Sequence, residues 1–355
     1  NTVVGDEAGT AITTGDNNTF MGYAAGDATT TGNSNTAIGR LALSTNTTGA
    51  ENTAVGVNAL YLATTGTFNV AIGNSAGGAV TTGIQNTLIG GLAGDSLTDA
   101  DYNVAVGHSA LDADTLGSRS VAVGTHALTS QNFTSATSTY NVAVGFEAGA
   151  AVTTGTNNTI IGGLSGDAIT TGSNNTTLGY VALGNTTTGA SNVAVGYAAG
   201  LANTTASNNV SVGTQAAQSG TTGSSNVAIG KEALYSNVTI SNSTAVGFQA
   251  LQAATNGPNT AVGSQALTDV TTGYDNTAVG RNAGKLVTTG IRNSAFGDLA
   301  FDANTTGSYN TALGAYSLGA NTTADNNTAV GYQALLANTT GAQNVAVGAQ
   351  ALDAN

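Results

Sequence analysis

The chain has 355 residues, a net charge of −13 and only 7% charged residues; Gly fills 50 positions, Pro258 is the single Pro, and Cys and Trp are absent. Six Lys and Arg are too few to meet a phosphate backbone, which excludes a nucleic-acid partner, and the acidic balance disfavours anionic membrane surfaces. No apolar run approaches the ~18 residues of a bilayer span, so no membrane insertion is expected; the missing Cys leave the redox compartment open.

From Asn1 onward one five-residue stretch recurs, cleanest as Asn52-Thr53-Ala54-Val55-Gly56. Its Gly returns from Gly5 to Gly348 in 21 copies, every interval 17 residues except two. With this Gly as position 5, the unit reads Asn, Thr/Val, Ala, Val/Ile, Gly, x, x, Ala, Leu/Gly, x, x, x, Thr, Thr, Gly, x, x. Position 1 is Asn in 19 of 21 units, the exceptions being Ser120 and Ser243, and position 3 is Ala in 15 of 21. Such a period means one supersecondary unit per repeat, each stacked on its neighbours. The whole chain, residues 1–355, therefore reads as a single repeat array with no separate domain.

Within each unit, positions 2 and 4 are β-branched and two apart, the period of a strand. Gly at position 5 ends that strand at a bend. A second short strand is expected over positions 8–10, and Thr-Thr-Gly at 13–15 supplies the other turn. A helix is excluded, because no 3.6-residue apolar period survives the glycines. The expected fold is all-β: a parallel β-roll or β-solenoid of about 21 coils, two short strands per coil. At the ~4.8 Å strand spacing this gives a rod on the order of 100 Å.

In this reading Asn52, Val55, Gly56 and their counterparts Asn226, Ile229 and Gly230 form the structural ladder. Positions 2 and 4 point inward, and the Asn column bonds along the axis as stacked amides do. Position 3 then points outward. Its small apolar residues, Ala54, Ala71, Ala105, Ala228 and Ala278 among them, form a candidate inter-chain stripe, because a long exposed apolar stripe implies a cover; the other reading is a thin coil with both faces of this strand partly buried in one chain.

Taken in chain order, the charged residues keep to the frame. Asp6, Glu7, Arg40, His108, Glu147, Lys231, Glu232, Arg281 and Asp298 occupy positions 6 or 7; Asp27, Asp95, Asp112, Asp167 and Asp302 occupy position 10. Tyr23, Phe146, Tyr180, Tyr197, Phe248 and Tyr332 share position 6 as a candidate aromatic strip. The unit beginning at Ser120 carries a four-residue insertion within 129–139, a loop that reads as a tolerated insertion or a functional bulge. The unit beginning at Ser243 is one residue short near 256–258. Asn46, Asn203, Asn304, Asn321 and Asn338 share position 12 in Asn-x-Ser/Thr sequons, possible glycosylation sites on an exposed loop. His108 and His126 fall in neighbouring units without a regularly spaced third ligand, so no metal site is assigned. No nucleophile elbow or phosphate loop appears, and neither catalysis nor a cofactor is expected. The first and last units resemble no cap, so the chain reads as a segment of something longer, or as one that stacks end to end.

Asn226-Val227-Ala228-Ile229-Gly230 and its relatives resemble the head repeats of trimeric autotransporter adhesins, and the 17-residue form resembles repeats upstream of tail-fibre chaperone domains. That resemblance covers the whole chain. It implies a left-handed parallel β-roll, three chains side by side, and a structural or adhesive segment of an extracellular fibre or surface appendage. Partners would be the chain itself, as homotrimer or end-to-end assembly, and a host-surface or glycan receptor. Two other readings of the residues stand beside it: an ice-binding solenoid presenting Thr13-Thr14 columns, and a glycan-coated extracellular filament. A phage tail-fibre shaft is a further form of the fibre reading.

Overall fold

A computed structural model describes residues 1–354, which are all-β with no helix. The chain divides into two compact units, Asn1–Asn175 and Thr176–Asn355. Each unit is a parallel β-solenoid. The first contains ten three-residue strands, from Thr2–Val4 to Thr159–Ile161, and the second contains eleven, from Thr176–Leu178 to Val345–Val347. Within each unit, coils pair in strict register: Ala37 lies beside Ala54 and Ala54 beside Ala71 in the first, Ala228 beside Ala245 in the second.

Each regular coil holds one strand, where two were expected. Positions 8–10 form a run of turns, because positions 7 and 9 take left-handed backbone that no strand accommodates. Asn58 has φ 58° and Leu60 φ 49°, and the pattern recurs at Glu232 and Leu234. Coils are still bonded there. Asn58 N–H donates to Arg40 O at 3.0 Å and Leu60 N–H to Ala76 O at 3.0 Å, so successive residues reach to opposite neighbours. Position 5 must be Gly. Gly56 has φ 137°, and a Cβ there would stand 2.4 Å from Gly73 O.

The inside and outside of the strand are the reverse of the expectation. Ala54, Ala71, Ala105, Ala228 and Ala278 are fully buried at 0% exposure, so the anticipated inter-chain stripe is the core of each coil. Val55 is half-buried and Ile229 is exposed, so neither belongs to the interior ladder assigned to it. The physical reason is width. Positions 1, 3, 8, 9, 12 and 15 all turn inward, and the strand contributes one apolar residue opposite positions 9 and 12. A large β-branched pair would not fit there; one Ala does.

Interior volume is shared among positions 3, 9 and 12. Coils with Leu at 9, such as those of Leu60 and Leu234, carry the small or polar Ala63 and Asn237 at 12. Where position 9 is Gly, position 12 is usually large, as in Gly77 with Val80, Gly94 with Leu97 and Gly166 with Ile169. Large position-3 residues require the same Gly: a Cβ at Gly26 would lie 2.5 Å from Phe20, and one at Gly94 would lie 2.7 Å from Leu88.

The buried Asn column is a two-way clamp. Asn35 Nδ2 donates to Gly49 O at 2.9 Å, closing its own coil, and to Asn18 Oδ1 at 3.2 Å. Asn35 Oδ1 accepts from Asn52 N–H at 3.0 Å, joining the next coil. Asn226 repeats this through Ile240 O (2.7 Å) and Ser243 N–H (2.9 Å). A buried amide with every group bonded stabilises; left unbonded, it costs about 1–3 kcal/mol. The clamp spans fourteen residues, so it works only in coils of standard length. The two coils lacking Asn, at Ser120 and Ser243, are the two of irregular length.

Candidate interaction surfaces

Positions 2 and 4 form the outer face of each sheet. Position 2 is Thr, Val or, once, Ser, and position 4 is apolar in every coil, from Val4 to Val347. Met21, Ile72, Leu178, Ile229 and Leu313 are all exposed on it. No charged residue falls at positions 1–5. Each unit thus carries an uncharged ribbon, apolar along one edge and Thr/Val along the other. Alternation along a strand puts position 4 outside whenever position 3 is inside.

The charges line the corners, where they pair from coil to coil. Arg281 meets Asp298 at 2.8 Å, Arg292 meets Asp275 at 3.5 Å, and His126 Nδ1 lies 3.9 Å from Glu147. Arg119 lies 5.0 Å over the Tyr102 ring, and Arg292 donates to Tyr309 Oη at 3.1 Å. The position-6 aromatics do not form one strip: Tyr180 and Tyr197 stack at 6.2 Å, whereas Tyr332 meets Tyr316 edge-on. His108 and His126 meet edge-on at 5.8 Å, and no group of three or more His, Asp or Glu among the described residues is arranged to hold a metal ion. At position 10, burial raises the carboxyls of Asp95, Asp167 and Asp302 above their ordinary range; neighbouring Asp112 raises Asp95 further.

The sequons lie inside rather than on an exposed loop. Asn46, Asn203, Asn304, Asn321 and Asn338 are buried, between 0% and 4% exposed. Position 12 ends the turn run, and its amide folds back onto position 15: Asn304 Oδ1 accepts from Gly307 N–H at 3.1 Å while its Nδ2 donates to Gly307 O at 3.1 Å. Transfer of a glycan to these side chains would require the coil to open. The Thr columns are only partly free. Position-13 hydroxyls are used between coils, as in Thr47 Oγ1 donating to Thr64 O at 3.1 Å, whereas position 14 is exposed.

The insertion builds an interior network as well as a loop. Asp114 is fully buried; its Oδ1 accepts from Gly117 N–H (3.1 Å) and Phe133 N–H (2.9 Å), its Oδ2 from Gln131 Nε2 (2.6 Å). Gln131 also reaches Ser120 Oγ at 2.8 Å and accepts from Asn141 Nδ2 at 2.8 Å. Gln131 thereby replaces the amide that Ser120 lacks. The extra residues form a second short pair, Gly117–Ser118 with Thr137–Ser138.

In the second unit the core is interrupted. Gly200 with Asn203 and Ala217 with Gly220 leave positions 9 and 12 both without a large apolar residue, and Ser211 stands at position 3. A cavity of about 20 Å³ results, lined by Leu183, Gly200, Asn203, Ser211, Ala217 and Gly220 among others. That volume suits one water with polar partners.

The sequence carries one signal for the outward position of residues 2 and 4, the exchange of volume between positions 9 and 12. No family model matches the chain, and no curated protein matches it.

Proposed function

We propose that the chain is a structural and adhesive segment of an extracellular fibre, its copies associating side by side through the position-2/4 sheet face as a homotrimer. The observation that carries this reading is the uncharged face itself. It is apolar at position 4 in all 21 coils, although the chain bears a net charge of −13. Apolar area on that scale is rarely left to water. Confinement of charge to the corners keeps like charges away from the contact, so a second copy approaches without repulsion there. Receptor contacts fall to the variable positions 6, 7, 16 and 17.

Analytical ultracentrifugation of the full chain tests this. The native chain sediments as a trimer, and the triple variant Ile72→Lys, Ile229→Lys, Leu313→Lys sediments as a monomer with unchanged circular dichroism. A native chain that stays monomeric over about a hundred-fold concentration range overturns the reading.

A further inference from the structure

We propose that Asn256 is a spontaneous deamidation site, acting through a succinimide formed with Gly257. The chain contains one Asn-Gly pair, and it lies in the one coil that lacks a residue. Elsewhere Thr-Gly usually holds this turn, and the change to Asn places an amide carbon one residue before an unhindered backbone nitrogen.

The geometry separates Asn256 from the other amides of the chain. Asn256 is exposed, and its Nδ2 has only a 3.4 Å contact with Thr272 O. Among the described residues the Gly257 N–H has no acceptor, whereas in the next coil Gly273 N–H donates to Thr288 O at 3.1 Å. Most position-1 amides are buried and clamped, and the following residue's N–H is committed, as when Thr53 N–H donates to Asn69 O at 2.8 Å. Asn33 is a useful contrast. It too is exposed and precedes a small residue, but its Oδ1 accepts from Asp16 N–H at 2.8 Å and Ser34 N–H donates to Asp16 O at 2.9 Å.

The step balances without an oxidant or cofactor. The Gly257 nitrogen forms a bond to Asn256 Cγ, the Cγ–Nδ2 bond breaks, and ammonia leaves with the proton from Gly257. Water then opens the five-membered imide at either carbonyl, giving an isoaspartyl or an aspartyl residue. Both products add a negative charge beside Pro258, and the isoaspartyl form adds one backbone carbon to the shortest coil.

Ageing the full chain in mildly alkaline buffer, with peptide mapping by mass spectrometry, tests the proposal. The Asn256 peptide is expected to gain the amide-to-acid mass about ten-fold faster than the Asn33 peptide, a barrier difference of ~1.4 kcal/mol. Its product is a mixture of isoaspartyl and aspartyl forms. Asn256→Thr, which restores the usual Thr-Thr-Gly, removes this event and leaves the other peptides unchanged. Equal rates at Asn256 and Asn33, or a product with no isoaspartyl form, would overturn it.

Discussion

The coils from Asn69 to Tyr102 and those from Asn192 to Ser225 follow the same frame but fill it differently. In the first pair, Gly77 faces Val80 and Gly94 faces Leu97, with Leu88 fully buried between them. In the second, Gly200 faces Asn203 and Ala217 faces Gly220, with Ser211 where Leu88 stands, and a cavity of about 20 Å³ remains. The backbone repeats regardless, because the Asn clamp and coil-to-coil bonds are set by positions 1, 5, 13 and 15. Side-chain volume at 3, 9 and 12 decides how tightly a coil is held, not whether it forms.

Truncation of the filled pair should have the largest effect. Leu88→Ala should lower stability by about 2–5 kcal/mol, as for other buried Leu truncations. Hydrogen exchange should show the protection loss concentrated in the Asn69–Tyr102 coils, since repeat arrays open locally. Gly94→Ala follows at about 1–3 kcal/mol, because the new Cβ would lie 2.7 Å from Leu88 Cδ2 and overpack the coil.

The insertion supplies a third comparison. Asp114→Asn keeps the volume but offers an NH₂ where both carboxylate oxygens accept. One donor among Gly117, Phe133 and Gln131 then lacks a partner, at about 1–3 kcal/mol, read by urea denaturation. In the underfilled pair, Ser211→Ala should change stability by less than ~1 kcal/mol, because a cavity already separates its neighbours. A loss there as large as that of Leu88→Ala would contradict the volume account.

The smallest effect concerns pH. Folding raises the carboxyl pKa of Asp95, Asp167 and Asp302 through burial. A group raised in the folded state contributes stability that is present below its unfolded value, ~3.9 for Asp, and lost as pH rises through the folded value. The melting temperature should therefore climb slightly on acidification from neutral toward that range, and Asp95→Asn should flatten the climb.

Much of the fold was legible in the sequence. Gly at position 5 announces a φ that L-residues avoid, and the 17-residue interval announces coils. The Asn column reads as a ladder, because few other residues satisfy a buried amide and carbonyl together. The face assignment was not legible from the strand alone. A three-residue strand offers two registers that differ by a one-residue flip, and every side chain changes side between them. Val55 and Ala54 resolve only when Leu60 and Ala63 are counted as occupants of the same interior. Asn46 misled for a related reason: Asn-Thr-Thr looks like a polar loop, yet its amide closes a turn by folding inward. Ser120 and Ser243 each carried two irregularities, in residue and in coil length, which the fourteen-residue reach of the clamp connects.

Position 3 faces the core, and in the proposed association position 4 faces another copy of the chain. The chain contains no Cys, so single-thiol variants Ala54→Cys and Val55→Cys report on each side without background. Maleimide labelling rates measured across a dilution series test the claim most directly. The account predicts that the thiol at 54 stays protected at every concentration, while the thiol at 55 labels rapidly in dilute solution and becomes protected as the chains associate. Equal labelling at both positions, or a thiol at 55 that stays fully reactive at high concentration, would contradict it.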